Sequence, residues 1–239
     1  ADVLYFIPHR QIDQYGLNIE AVRQGAARGA TLSIAVDCGV TAIEAIAETR
    51  RLGIDTIVID HHEPADRLPE ALAVVDPKRA DSQYPERDLA SVGLCFKTAS
   101  AVCERLELPR EFLDRAFLDL VALGTIADVV PLVGENRVFA RFGLELLPAT
   151  RKVGLRALMQ VCNLTGVVRA PDVAFRLAPR MNAAGRMGDA TDALDLLLTE
   201  EEDEALRLAL QLENSNRDRQ REQELTYRQA LEFIDEQVD

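Results

Sequence analysis

The stretch "TIVIDHHEP", residues 56–64, joins an apolar, β-branched run to four consecutive ionisable residues, Asp60 to Glu63. The apolar half is typical of a buried strand. Two of the three histidines in the chain follow it directly. Side chains just beyond a strand of an open parallel sheet lie at the edge where such sheets bind ligands. The stretch therefore predicts a buried strand with a polar site at its end.

Similar strand-like runs occur on both sides of this stretch. They cover residues 2–7, 32–37, 55–60 and 72–77, with helical patterns near 19–29 and 41–52 between them. Apolar strands separated by helices of about 10 residues are typical of βαβ units in a parallel sheet covered on both faces. Further helices are predicted near 91–106, 110–126, 135–147, 154–162 and 170–178. The predicted fold class is α/β, a parallel β-sheet flanked by helices and followed by a helical part.

The C-terminal segment has a different pattern. Nothing interrupts a helix from 201 to 238, yet residues 213–224 contain no apolar side chain. A helix that is polar on every side packs on nothing locally and usually bridges domains. We predict one domain over 1–200 and a connecting helix over 201–239 whose far end expects a further domain. A long solvated surface helix is the alternative.

Composition limits the class of protein. With 239 residues, 48% of them hydrophobic, the chain reads as globular, and no apolar run approaches the roughly 20 residues of a membrane span. We expect a cytoplasmic protein without a membrane segment. The four cysteines form no C-x-x-C pair, so neither a zinc site nor a disulfide framework is predicted.

Charge confines any nucleic-acid contact to a local surface. The net charge of −13 excludes a surface that coats nucleic acid generally, because such binding depends on Lys and Arg neutralising phosphates. One segment differs: residues 168–187, "VRAPDVAFRLAPRMNAAGRM", contain four arginines and a single acid. This basic segment is the predicted anion-binding region.

Two further acids occur in contexts like that of Asp60. Asp37 ends the run "SIAVD", and Asp128 is a lone acid within "LVALGTIADVVPL". Neighbouring strands lie about 4.8 Å apart, so Asp37 and His61 could reach a common ion. A buried acid such as Asp128 must be paired or bind a metal. Two carboxylates and an imidazole suit Mn²⁺ or Mg²⁺, although a cap or turn role is the alternative for each lone acid.

These residues resemble a known family. "VDCG", "VIDHHEP" and "GTIADVVPL", in this order, resemble three motifs of the DHH phosphoesterase superfamily, which is named for the triplet formed here by Asp60, His61 and His62. "LAPRMNAAGRMGDA" and "YFIPHRQIDQYGLN" resemble the RecJ-type single-strand exonucleases within it. The resemblance implies a 5′→3′ exonuclease that acts on single-stranded DNA with Mn²⁺ or Mg²⁺ in DNA repair and recombination.

The resemblance also implies roles for single residues. Asp37 would be a bridging metal ligand, with His61 and Asp128 as further ligands. His62 would contact the scissile phosphate, and Asp60 would orient a histidine from behind it. The predicted phosphate and DNA contacts are Arg180, Asn182, Arg186 and Arg10.

Partners and departures follow from the same resemblance. It implies single-stranded DNA as substrate, a single-strand-binding protein or helicase as possible partner, and a monomer. The family's Asp-x-Asp motif is not found in residues 1–30, so we expect impaired activity and further domains outside this sequence. Two alternatives stay open: another DHH phosphoesterase that cleaves short oligonucleotides or cyclic dinucleotides, and a non-catalytic RecJ-like scaffold.

Overall fold

A computed structural model describes residues 2–8, 16–187 and 190–238. Its centre is a three-stranded parallel sheet in the order β1 (Leu32–Val36), β2 (Asp55–Ile59) and β3 (Ala73–Val75). Helices α1 (Ile19–Ala27) and α2 (Ile43–Arg51) precede β1 and β2. The α/β class predicted from the sequence is confirmed.

The predicted strand at 2–7 is not formed. Residues 2–8 have no regular secondary structure, and Val3, Leu4, Tyr5 and Phe6 are exposed. The expectation of a sheet covered on both faces holds for β2, where Val58 is fully buried. It fails for β1, whose apolar residues on one face are about half exposed, namely Leu32, Ile34 and Val36. An apolar strand pattern is therefore present in both regions without the partner surface that would bury it.

Each predicted helix between 91 and 162 is present. They are α3 (Ser91–Arg105), α4 (Arg110–Ala127), α5 (Gly134–Leu146) and α6 (Val153–Val161). A core cluster of Ile59, Leu94, Phe96, Val121 and Phe139 joins the sheet to α3, α4 and α5. This packing holds the carboxyl end of β2 and the C-terminus of α4 in one compact region.

The chain divides into two compact units. The sheet unit contains residues up to Ala149 together with Val167–Val173, and the α10 unit contains Thr150–Gly166 and the residues from Ala174 onward. This division differs from the domains expected from the sequence, 1–200 and 201–239, which remain a prediction. The unit boundary instead falls before α6 because α6 packs on the C-terminal helix.

The predicted helix at 170–178 is the start of a longer helical run. It consists of α7 (Ala170–Asp172), a π-helical turn (Val173–Leu177) and α8 (Ala178–Met187). Helix α9 (Thr191–Leu198) follows. The basic segment is therefore helical throughout its described part.

The long C-terminal helix α10 (Glu202–Val238) is confirmed, but its polar stretch does pack locally. Ala205, Leu208, Ala209 and Leu212 are buried in contacts with α6, α8 and α9. Asn216, inside the stretch without apolar residues, is only 2% exposed. From 220 to 234 every residue is exposed. Among the described residues, no helix is long and apolar enough to cross a membrane.

Candidate functional site

Three aspartates follow the three strands in register. Val36, Ile59 and Val75 are aligned across the sheet, and each is followed by an aspartate. The Asp37 backbone N–H donates to the Ile59 carbonyl at 2.9 Å, and the Asp60 N–H donates to the Val75 carbonyl at 3.0 Å. The carboxyl edge of the sheet therefore presents Asp37, Asp60 and Asp76 side by side.

A tight turn after β1 positions Asp37. Asp37 adopts a left-handed conformation with φ 59°, which short polar residues tolerate better than most. Gly39 follows with φ 108°, and a Cβ there would lie 3.1 Å from the Ala35 Cβ and 3.3 Å from Val58. The turn then returns the Val40 N–H to the Asp60 carboxylate at 3.0 Å. Glycine is thus required for the close approach that directs Asp37 outward.

The His61 ring lies between the carboxylates of Asp37 and Asp128. Its Nε2 lies 3.4 Å from Oδ1 of Asp37 and 3.5 Å from Oδ2 of Asp128. Asp128 reaches this point as the C-cap of α4. The His61 side chain is 11% exposed, whereas Asp37 and Asp128 are 49% and 36% exposed. The structure thus brings together the three residues that the sequence proposed as metal ligands.

The donor set fits a divalent cation. Atoms bound to one ion at 2.0–2.2 Å lie roughly 3 Å apart, and the observed separations around His61 are close to that value. The ligand atoms of Asp37, His61 and His62 also lie within 4.8 Å of one another. Two carboxylates and an imidazole form the mixed oxygen and nitrogen set that suits Mn²⁺ and admits Mg²⁺.

Electrostatics at Asp128 also favour a cation. Burial raises the pKa of Asp128, the charge of His61 opposes this effect, and the negative charge of Asp37 raises the pKa further. Two carboxylates that face each other are stable as anions only when positive charge compensates them. A bound divalent cation would supply that charge.

Asp60 anchors His62. The Asp60 carboxylate is 1% exposed and lies 2.6 Å from Nδ1 of His62. Burial raises the pKa of Asp60, but hydrogen bonds from the Val40 N–H and from His62 outweigh burial and hold that pKa below its usual range. Burial lowers the pKa of His62, and the hydrogen bond with Asp60 more than offsets this, so the pKa of His62 lies above its usual range. His62 is therefore a fixed imidazole whose Nε2 remains available.

Asp76 is a site residue that the sequence analysis missed. It is 5% exposed, its Oδ1 accepts the Lys78 N–H at 2.7 Å, and its Oδ2 is buried without a hydrogen-bond partner in the described structure. Burial raises the pKa of Asp76. The signal was present in "LAVVDP", an apolar run followed by Asp. Its strand is only three residues long, so the local pattern is weaker than that of the His-His pair.

The cysteine beside the site, Cys38, has a raised thiol pKa. Burial, together with the charges of Asp60 and Asp37, raises the pKa of Cys38 to about 11. A thiol with such a pKa is almost wholly protonated at neutral pH. All four cysteines are free thiols.

Two arginines of the basic segment have structural partners within the α10 unit. Arg176 donates to the Cys162 carbonyl, at the C-terminus of α6, where a cation is favourable. Arg180 lies 2.5 Å from the Glu213 carboxylate, and both side chains are largely buried, at 16% and 12% exposed. Its Nη1 also donates to the Arg176 carbonyl at 2.6 Å. The geometry gives the predicted phosphate contact of Arg180 no support.

The other predicted DNA contacts differ from Arg180. Asn182 and Arg186 are exposed and four residues apart on α8, so they share one face. Neither side chain has a hydrogen-bond or ion-pair partner among the residues that the structure describes. Ala183 and Ala184, on the opposite face, are buried. Arg10 lies outside the described residues.

Comparison with known proteins gives a family and several similar relatives. A model of the "DHH family, N-terminal domain" matches residues 1–125, about half of the chain. The chain is 43% identical over 206 residues to the "Single-stranded-DNA-specific exonuclease RecJ" of Bacillus subtilis, covering 86% of this chain and 25% of that protein. It is 42% identical over 205 residues to the protein of the same name in Thermus thermophilus, covering 86% and 29%.

Solved structures give the same relationship. The "exonuclease RecJ bound to manganese" superposes with a TM-score of 0.85 at 41% identity, covering 94% of this chain and 56% of that one. RecJ of Thermus thermophilus in complex with Mg²⁺ superposes with a TM-score of 0.63 at 31% identity, covering 88% and 35%. The chain spans 25–37% of the length of the RecJ proteins from Bacillus subtilis, Dickeya dadantii and Salmonella typhimurium. With the DHH model matching residues 1–125 and these motifs gathered at one sheet edge, the chain belongs to the DHH family.

Proposed function

We propose that the protein is a metal-dependent exonuclease that degrades single-stranded DNA from its 5′ end in DNA repair and recombination. The observation that carries the proposal is the convergence of Asp37, His61 and Asp128 beside the histidine that Asp60 anchors. Relatives at 42–43% identity named as single-stranded-DNA-specific exonucleases support the substrate class. The 5′→3′ polarity is the one that the sequence resemblance implies.

Asp37, His61 and Asp128 would hold the metal. Mn²⁺ or Mg²⁺ bound there would supply a hydroxide nucleophile near neutral pH and neutralise phosphate oxygens. Related RecJ structures contain these two ions, which supports the choice. The remaining work of the site belongs to side chains that orient the DNA.

His62 would contact the scissile phosphate. The raised pKa of His62, caused by its hydrogen bond with Asp60 against the effect of burial, favours the protonated imidazolium that pairs with an anion. Asp60 is then a positioning residue, because it touches His62 and the backbone rather than the substrate. A fixed cation beside the phosphate would stabilise charge that develops during hydrolysis.

The DNA strand itself would be held by Asn182 and Arg186. Both are exposed on one face of α8, and phosphate contacts by such side chains supply most non-specific affinity. Arg180 is left out of this set because Glu213 occupies its guanidinium. Arg10 keeps its predicted role from the resemblance alone.

The test is release of nucleotides from a 5′-labelled single-stranded oligonucleotide in the presence of Mn²⁺. We expect hydrolysis by the whole chain to fall by about 100-fold or more in Asp128→Asn, because a metal ligand is lost. Asp66→Asn is the matched control, since it removes an exposed carboxylate and the same single charge. Because the sequence predicts slow turnover, the rate of nucleotide release by each variant is compared with that of wild type as a ratio.

The substrate arms separate the alternatives. The same sequence as a duplex, a 3′-labelled strand and a cyclic dinucleotide are measured in parallel. Hydrolysis of the dinucleotide without hydrolysis of the single strand would assign the chain to another class of DHH phosphoesterase. DNA binding without Mn²⁺-dependent hydrolysis in any arm would support the scaffold reading. Single-strand-binding protein or helicase partners and a monomeric state remain predictions, as does the cytoplasmic location expected from composition.

A further inference from the structure

Phe175 is an exposed aromatic side chain in the basic segment. It retains 78% of its accessible surface within the π-helical turn Val173–Leu177. A single exposed apolar residue needs no explanation by itself. Phe175 differs because it lies within a π-helical turn, and such turns are frequent at functional sites.

Phe175 lies in one row with Asn182 and Arg186 of α8, which have no polar side-chain partner among the described residues. Asn182 and Arg186 follow Phe175 by seven and eleven residues, close to two and three turns of a helix. The wider π-helical turn shifts this phase slightly, yet all three side chains remain exposed. The residues on the other side of the same run are buried, namely Leu177, Ala178, Ala183 and Ala184. The row extends over about 16 Å at a rise of 1.5 Å per residue.

The chemistry of this row is that of a single-strand binding surface. Proteins that bind single strands combine aromatic side chains, on which bases stack, with cations that follow the backbone. Arg186 supplies the cation and Asn182 a hydrogen-bonding amide. Arg176 donates to the Cys162 carbonyl and Arg180 is paired with the Glu213 carboxylate, so neither guanidinium is assigned to the row.

From this row we infer that Phe175 stacks on a nucleobase of single-stranded DNA whose backbone is held by Arg186 and Asn182. The inference rests on the proposed function and adds a reason for its substrate preference. A base in a duplex is already stacked and paired, whereas a base in a single strand has a free face. Phe175 therefore favours the single strand without reading its sequence.

The experiment is a thermodynamic cycle between Phe175 and one base. Affinity of the whole chain for a short oligonucleotide is measured by fluorescence anisotropy without divalent metal, so that no hydrolysis occurs. We expect Phe175→Ala to weaken binding about tenfold and Phe175→Trp to preserve it. An abasic site moved along the strand should weaken wild-type binding about tenfold at one position and leave Phe175→Ala binding unchanged there.

Salt dependence separates stacking from charge. Phe175→Ala should leave the slope of log affinity against log salt unchanged, whereas Arg186→Gln should reduce it by about 1. Phe112→Ala, which removes another phenylalanine that is 68% exposed, is the control and should bind normally. Thermal unfolding of each variant checks the fold.

The outcomes are distinct. If Arg186→Gln weakens binding and Phe175→Ala does not, the stacking role is overturned while the proposed function stands. If neither variant changes binding, the row is not part of the interface and the inference fails. If the chain binds no single-stranded DNA in this assay, the inference fails, and the Mn²⁺-dependent release of nucleotides decides the proposed function separately.

Discussion

At the scale of single residues, the Asp60 carboxylate accepts four hydrogen bonds, from the N–H groups of Val40, His61 and His62 and from the His62 ring. Asp60→Asn replaces one acceptor oxygen by a donor that faces other donors. We expect the free energy of unfolding to fall by about 1–3 kcal/mol and Mn²⁺-dependent hydrolysis to fall about 10- to 100-fold.

Chemical denaturation and the nuclease assay measure these two effects of Asp60→Asn separately. Asp66→Asn, which removes an exposed carboxylate, should change neither. Full hydrolysis by a destabilised Asp60→Asn variant would show that His62 needs no anchor, and the positioning role would then be wrong.

Glu135 offers a test of stability against pH. Burial raises its pKa, but hydrogen bonds from Lys97 and Tyr84 outweigh burial and hold the pKa of Glu135 below its usual range. The Lys97 Nζ lies 2.5 Å from the carboxylate. A carboxyl group with a depressed pKa stabilises the fold above its unfolded pKa, and this stabilisation is lost as the pH falls through its folded pKa.

Glu135→Gln should therefore be less stable than wild type by about 1 kcal/mol near pH 7. The difference should shrink below pH 4.5, the ordinary pKa of this side chain. Denaturation curves from pH 3 to pH 7 provide the measurement. Glu145→Gln on the same helix removes an exposed carboxylate and should give no comparable trend. A difference that stays constant down to pH 3 would contradict the linkage.

The site residues that could be predicted are those with a distinctive local sequence context. Asp37 and Asp60 each end an apolar run, and Asp128 interrupts one, so a reader of the sequence can place them at strand or helix ends. The ion pair of Arg180, which the sequence predicted as a phosphate contact, could not be foreseen because its partner Glu213 lies 33 residues away. No local pattern shows which arginine of a basic segment will be paired. Asp76 was missed although its context matched that of Asp60.

At the scale of elements, the contact between α6 and α9 depends on Gly154. A Cβ at this position would overlap the carbonyl oxygen of Leu196, a backbone atom in a fully buried residue. Gly154→Ala should therefore lower the free energy of unfolding by about 1–3 kcal/mol through overpacking. The measurement is urea denaturation of the whole chain.

Gly25→Ala in α1 is the matched control for Gly154→Ala. A Cβ there would meet the Ala30 Cβ at 3.8 Å, an ordinary contact. Alanine also favours a helix interior over glycine by up to about 1 kcal/mol. The control should therefore be neutral or stabilising. Equal effects of the two substitutions would show that helix propensity, rather than the α6–α9 contact, decides the result.

A second element-scale prediction concerns how α10 is attached to α8. Glu213 binds Arg180 through one oxygen and Arg217 through the other, at 2.5 and 2.8 Å. Arg180 is largely buried, whereas Arg217 is 62% exposed. Arg180→Ala should cost about 1–3 kcal/mol, because one oxygen of the largely buried Glu213 carboxylate loses its partner and only the exposed Arg217 remains. Arg217→Ala should cost less than about 1 kcal/mol.

The double variant Arg180→Ala with Glu213→Ala completes the cycle. It should be more stable than Arg180→Ala alone, because the carboxylate that lost its buried partner is gone. Additive losses would mean that the two side chains do not interact. Arg180→Ala should also leave the salt dependence of DNA binding unchanged, which a direct phosphate contact would not allow.

Sequence patterns predicted some elements of secondary structure correctly and failed for others. Helices α3 to α6 were predicted within one or two residues, because their apolar periodicity reflects burial that the fold provides. Residues 2–7 have an equally apolar pattern and no strand, since a strand forms only where a neighbour pairs with it. Within the polar stretch 213–224, Asn216 is buried and the Glu213 side chain is only 12% exposed because ion pairs with Arg180 and Arg217 replace apolar contacts. Hydropathy alone does not report such packing.

At the scale of the whole molecule, the net charge of −13 opposes the approach of DNA. A bound metal ion would offset this charge locally. A strongly acidic chain repels DNA except where positive charge is local. Arg186 on α8 supplies part of that charge. A divalent cation among Asp37, His61 and Asp128 would reverse the local sign at the sheet edge and allow a phosphate to approach.

Metal binding should therefore stabilise the whole chain. A ligand that binds only the folded state at 100 times its Kd adds about 2.7 kcal/mol to the free energy of unfolding. In calorimetry at increasing Mn²⁺ concentration, we expect the Tm of wild type and of Asp66→Asn to rise by the same amount. Asp37→Asn and Asp128→Asn should lose most of this shift. All three variants remove one negative charge, so general attraction of cations to an acidic protein is the same in each. Equal shifts in all of them would place the bound ions elsewhere on the surface, and the site at the sheet edge would lose its assignment as a metal centre.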